Sequence, residues 1–411
     1  MNLKKYNIDY ILLIPCYLNI LIMVCPLVDL YANWYVTMIP IVVMFVYLSQ
    51  KDRASFKLSL SMLSYGALVV FYQYWFLHRD HDFINFLING VIVWTPCVLA
   101  LLCRNVLNLK SQMILLQVSL ASMAYTCFTT WIGLEMFPNA SRELAGAANE
   151  ATRELYMSLN IGGFEFVYAV VLALPIVIWM IFNSKGYLKL LNVLIFLSFL
   201  NCIYMSAYTT ALIFSIMILI FSIIEYKPQY KNAVYSSLIV FVFFAGTGIL
   251  SYVVEWVAGM VENDYVADRL LQVSLLLQGT SAEDVDTESS NERIVLMQHA
   301  WDGFFASPIF GNNLLGYHKN LMSGHSMVLD LLSSCGVLGL FLFVRLFYNA
   351  FKKLYPSGFM NKPSAFKLVW FAFIALSIMN PSSFSVVYLV IFGFTEIINN
   401  LETYKKSGKN G

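Results

Sequence analysis

Apolar runs of membrane-crossing length recur along this chain, separated by short polar turns. A helix needs about 20 predominantly apolar residues to cross roughly 30 Å of hydrocarbon. On that measure twelve spans are predicted, near 9–28, 34–49, 56–77, 83–103, 111–134, 164–183, 187–204, 208–226, 232–250, 326–350, 364–380 and 382–400. Two boundaries are set by chemistry rather than by length. The stretch from Leu190 to Ile224 carries no charge and is too long for one crossing, so the polar turn around Ser206-Ala207-Tyr208 divides it. The last apolar stretch is divided at Asn380-Pro381-Ser382-Ser383, because proline has no amide donor and clashes with the preceding helical turn.

Composition agrees with a chain dissolved in lipid. Of its 411 residues 59% are hydrophobic and 12% charged, against about half and about a quarter in soluble domains. The expectation is a single all-α polytopic membrane domain over 1–411. Lys4 and Lys5 precede a first apolar run that is longer than a signal peptide and lacks a small-residue cleavage site, so it reads as a retained span. The net charge of +1 argues against a nucleic-acid partner. Seven cysteines lie in apolar stretches without any C-x-x-C pair, which indicates neither a metal knuckle nor a disulfide framework.

Charge then orients the spans. Of 25 lysines and arginines, 19 fall on the side shared by the two termini; the other side receives only Arg79, Arg142, Arg153, Arg269, Arg293 and Lys319. Cytoplasmic loops are enriched in cations, so both termini are expected in the cytoplasm. Two long segments would face outward, 135–163 and 251–325. The second is the largest piece outside the spans and immediately precedes span ten.

Within it, Glu262 to Gln278 has an apolar-rich helical pattern, and Gly279 to Glu292 forms an acidic connector. Ile294, Met297, Trp301, Phe304 and Phe305 then recur at helical spacing, predicting a helix from about Asn291 with Arg293 on its first turn. Pro308 ends it. Ser323-Gly324 reads as a cap for a helix that begins around His325 and becomes span ten.

The order Arg293, Trp301, Pro308-Ile309-Phe310-Gly311, His325 and the Gly336–Gly339 pair resembles the O-antigen polymerase and ligase superfamily. The resemblance covers about an eighth of the chain. It implies a fold like that of the C-type glycosyltransferases and an inverting, metal-independent glycosyltransferase of the bacterial inner membrane, with its site facing the periplasm. A glycan chain on one polyprenyl pyrophosphate would pass to the terminal sugar of another lipid-linked repeat unit. The implied partners are this lipid-linked oligosaccharide, membrane lipid and a chain-length regulator protein; no cofactor is implied.

His325 is the expected base. Imidazole titrates near neutrality, and the positive end of a helix dipole holds it neutral and able to accept a proton. Arg293 is the expected pyrophosphate ligand, since its planar fork matches phosphate oxygens. Family members carry a Ser-Arg pair on the loop between spans seven and eight; here Ser206 is followed by Ala207, so a second cation must come from Arg269, Arg79, Arg142 or Arg153. Asp29, on the first outer loop, resembles an acidic residue that C-type enzymes place there. The clusters His78-Arg79-Asp80-His81-Asp82 and Asp284-Val285-Asp286 read as solvated loops rather than metal sites. Two rival functions are an O-antigen ligase, whose acceptor is a lipid A core sugar, and a flippase or transporter. The second would show paired repeats and midplane charges, and the sequence has neither.

Overall fold

The computed structural model describes residues 9–32, 34–77, 93–144, 149–227, 249–260, 288–312, 324, 326–355, 358–382 and 384–407, with residues 229, 232, 236, 267, 271 and 274. Among these there is no strand. The helices are α1 (Tyr10–Val24), α2 (Pro26–Tyr31), α3 (Trp34–Lys51), α4 (Arg53–Leu77), α5 (Thr95–Asn105), α6 (Leu109–Met136), α7 (Ala140–Glu143), α8 (Glu150–Ser158), α9 (Phe164–Asn183), α10 (Tyr187–Met205), α11 (Thr209–Tyr226), α12 (Ile249–Ala258), α13 (Glu288–Ala306), α14 (Met327–Leu354), α15 (Ser364–Met379), α16 (Ser385–Tyr388) and α17 (Thr395–Ser407). A π-helical turn, Leu389–Phe394, joins the last two.

Among the described residues five continuous segments are long and apolar enough to cross a membrane: α6, α9, α10, α14 and the run Ser385–Ser407. Shorter apolar helices flank them. The protein is therefore an all-α, multi-pass membrane protein. The bundle is built around α9, in which every residue from Phe166 to Met180 is buried. It packs against α10, α11, α15 and the π-helical turn. The two predicted breaks are present: α10 ends at Met205 before α11 starts at Thr209, and α15 ends at Met379 before α16 starts at Ser385.

Hydrogen bonds fix which helix ends lie together. The Asp9 amide donates to Ser111 Oγ, while Thr126 Oγ1 donates to the Val24 carbonyl, so α1 and α6 run side by side in the same direction. The end that holds Val24 also gathers α2, α7, α8 and the Ser206–Tyr208 turn; we call it the loop end. The opposite end gathers cations. There Arg104 donates to the carbonyls of Lys353 and Leu354 at the close of α14, Lys362 reaches Asn399, and Lys405 pairs with Glu402.

Two spans depart from the sequence expectation. The first, predicted over 9–28, stops at Val24, and Pro26 opens the separate short helix α2 at its first position, where a missing amide donor costs nothing. Span ten, predicted as one helix, is broken at Gly336, whose φ of 66° and ψ of −171° are not helical.

Candidate functional site

The break at Gly336 is where two pieces of the sequence pattern meet. Helix α13 ends at Ala306, and Pro308 to Gly311 turn back, with the Gly311 amide on the Ser307 carbonyl at 2.8 Å. The turn seats on α14: Val337 N–H donates to Pro308 O at 2.9 Å and Leu338 N–H to Ile309 O at 3.2 Å. These are the amides left without helical acceptors by the break. The fit admits no side chain on either strand of chain. A Cβ on Gly311 would overlap the Ser334 carbonyl, and one on Gly336 would overlap the Ile309 carbonyl. Both glycines also hold positive φ, 80° and 66°, which an L-residue with a side chain rarely adopts.

Helix α13 differs in detail from its expected form. It starts at Glu288 rather than near Asn291, so Arg293 stands beyond the first turn. The face that packs carries Ala300 and Gly303, both buried. Small residues of this kind let helices approach closely in lipid. The aromatic edge predicted as the apolar face, with Trp301 and Phe305 stacked at 5.9 Å, is exposed.

The head of α14 also differs. Its N-cap is Ser326, whose Oγ accepts from the Leu329 amide at 3.2 Å, and the helix begins at Met327 rather than around His325. Met327 N–H donates to Asn380 O at 3.4 Å, tying this head to the end of α15. From there contacts continue across the loop end. Phe384 lies 6.1 Å from Phe164, and Phe164 lies 5.4 Å from Tyr208.

At Tyr208 the tract reaches Arg142. Its guanidinium Nη2 donates to Ala207 O at 2.6 Å and its Cζ lies 5.6 Å from the Tyr208 ring centre. Tyr208 Oη donates in return to Ser141 O at 2.7 Å. Ala207 holds a φ of 52°, so the turn is kinked to present that carbonyl. The chain thus brings a cation from α7 onto the very turn that lacks the Ser-Arg pair.

A second group of charges lies on the same end. Asp29 on α2, Arg153 on α8 and Glu165 at the start of α9 stand within electrostatic reach of one another. The Asp29 carboxyl is open on one side and crowded by protein on the other. The crowding pushes its pKa up and Arg153 pulls it back.

Of the sequence-predicted residues, His325, Arg269 and Arg79 lie outside the described residues, as do the clusters at 78–82 and 284–286; for Arg293 the backbone is described and the side chain is not. Among the described residues no group of three or more His, Cys, Asp or Glu side chains could hold a metal ion. Two residues that sequence reasoning passed over stand beside α14. Asn312 and Asn380 are buried, and neither amide nitrogen nor amide oxygen of either has a hydrogen-bond partner among the described residues. A buried amide left this way costs about 1–3 kcal/mol, a cost more readily carried where a polar ligand completes the pairing. In the sequence Asn380 stands out only as part of a helix break before Pro381, and Asn312 is not singled out.

No family model, curated protein or solved structure matches the chain.

Proposed function

We propose that the protein is a polysaccharide polymerase of the O-antigen type, a twelve-span glycosyltransferase of the bacterial inner membrane with both termini in the cytoplasm and its loop end facing the periplasm. The observation that carries this reading is the seating of the Pro308–Gly311 turn on the Gly336 break. It joins the helix bearing Arg293 to the next helix, the one that follows His325.

In this reading Arg293 holds the pyrophosphate of the donor. Arg142 is the second cation, favoured over Arg153 because it sits on the Ser206–Tyr208 turn, whereas Arg153 faces two carboxylates. Asn312 and Asn380 offer amides to sugar hydroxyls. The acceptor hydroxyl oxygen attacks the anomeric carbon of the donor glycan and its proton passes to His325. The bond from that carbon to the pyrophosphate oxygen breaks, the lipid pyrophosphate leaves with the electron pair, and the single displacement inverts the carbon.

The test uses the purified full-length protein in liposomes with polyprenyl-pyrophosphate-linked repeat units. The wild type is expected to build a ladder of lengthening glycans. Arg293→Lys keeps a charge but loses the bidentate fork, a loss of about 2–4 kcal/mol in transition-state stabilisation. The variant is expected to lose most activity at normal expression. A normal ladder from it would remove Arg293 from the site.

A further inference from the structure

The Pro308 turn seats on α14 far below that helix's head. α14 is long and apolar enough to cross a membrane. It runs from the loop end to the cation end, where Lys352 and Lys353 are exposed and Arg104 holds the last carbonyls. From Lys352 up to Val337 the helix is unbroken and rises about 22 Å at roughly 1.5 Å per residue. Bilayer hydrocarbon is about 30 Å thick. With Lys352 at the headgroups of the cation end, the carbonyls that Val337 and Leu338 bind lie about 8 Å beneath the opposite boundary. Any tilt of α14 takes them deeper.

Hydrocarbon makes two demands on such a turn, and this one meets both. Backbone polar groups at that depth must be paired within protein. Pro308 O and Ile309 O accept from Val337 and Leu338, and Gly311 N–H donates to Ser307 O. The outward side chains must be apolar. Phe305 is 68% exposed, Ile309 is 63% exposed, and Phe310 is exposed beside them; residues 303–310 carry no charge. On α14 the exposed row Val337, Phe341, Val344 and Tyr348 extends this apolar surface toward the cation end. That row belongs to a membrane-crossing helix, so acyl chains cover it, and the turn joins it at Val337 and Leu338.

From the turn α13 must rise toward the loop-end face. Lying flat at this depth, it would hold exposed Gln298, His299 and Asp302 in hydrocarbon, where charged side chains face a bundle interior instead. Descending, it would carry Arg293 into the other leaflet. Rising, it brings Asp302 about 9 Å above Pro308, to the boundary, with Trp301 at the level where tryptophans collect. We infer that residues 301–311 form a re-entrant segment in the loop-end leaflet, and that the exposed edge of Trp301, Phe305, Ile309 and Phe310 is covered by lipid acyl chains. In the sequence all of 251–325 reads as lying outside the spans; this part of it is sunk in hydrocarbon. The inference rests on the membrane-embedded fold and not on the glycan-transfer reading.

The experiment places a nitroxide on single cysteines of the full-length, otherwise cysteine-free protein in liposomes. It compares collisions with oxygen, which concentrates in hydrocarbon, and with a water-soluble nickel chelate. Phe305→Cys and Ile309→Cys alter exposed residues, and each is used once its thermal melt matches the parent's. Both are expected to give an oxygen-to-nickel ratio close to that of Phe341→Cys on α14 and well above that of Ser289→Cys near the start of α13. A ratio like that of Ser289→Cys, or little collision with either reagent, as a protein cover would produce, overturns the proposal. A second measurement leaves the native cysteines in place. The tryptophan emission lost to lipids brominated on their acyl chains is expected to be smaller in Trp301→Phe than in the wild type; an equal loss contradicts lipid cover of this edge. Neither readout needs glycan synthesis, so failure here and failure of the polymerase reading are separate results.

Discussion

A guanidinium drawn from 65 residues away rests on the Ala207 carbonyl. No local pattern announced that pairing, because Arg142 lies in a polar loop segment and its partner is a backbone oxygen. The head of α14 shows the same limit at shorter range. Ser323 and Ser326 could both serve as caps by composition, and only the hydrogen bond from the Leu329 amide selects Ser326. That assignment separates two roles at neighbouring residues. Ser326→Ala is expected to cost about 1 kcal/mol of stability, the usual worth of an N-cap, with turnover per folded molecule retained. His325→Ala is expected to keep the melting temperature and to lose turnover by about 10²–10⁴-fold, the worth of a general base. Purified variants assayed against their own thermal melts distinguish the two; unchanged turnover in His325→Ala would leave the base unassigned.

At the scale of elements, the apolar runs gave most helix positions where the structure describes them, since length and hydropathy decide what can sit in lipid. The run 164–183 matches α9 end for end. Breaks inside apolar runs were legible at Ser206–Tyr208 and Asn380–Ser383, where polar residues or a proline cluster mark them, whereas the single Pro26 within the predicted first span was read through. The break at Gly336 was not, because Leu331 to Leu340 carries neither charge nor proline and a glycine pair in a span reads equally well as a close-packing face. Its cause is the partner: the Pro308–Gly311 turn supplies carbonyls to the freed amides. The π-helical turn Leu389–Phe394 had no signal either, since its own residues are uniformly apolar. Gly336→Ala tests the docking. The added methyl meets the Ile309 carbonyl and a positive φ, and strain of this kind costs on the order of 1–3 kcal/mol. A lowered melting temperature and faster proteolysis near the Pro308 turn are expected; an unchanged melt would mean the turn is not held at the break.

Across the whole molecule, the cations that sequence reading assigned to one side include Arg104, Lys353, Lys362 and Lys405, and these do gather at one end of the bundle. Arg142 and Arg153 lie at the other, with the candidate site. The positive-inside rule then predicts that the loop end is periplasmic. A single cysteine at Ser289, in an otherwise cysteine-free protein, is expected to react with a membrane-impermeant maleimide from the periplasmic side; labelling only from the cytoplasmic side would reverse the topology and remove the mechanism with it. If this molecule lengthens a lipid-linked glycan, deletion of its gene changes the surface polysaccharide resolved on a gel. Loss of a polymerase is expected to leave a single repeat unit on the lipid anchor in place of the ladder. Loss of every repeat unit, or a ladder of normal length, would contradict the account.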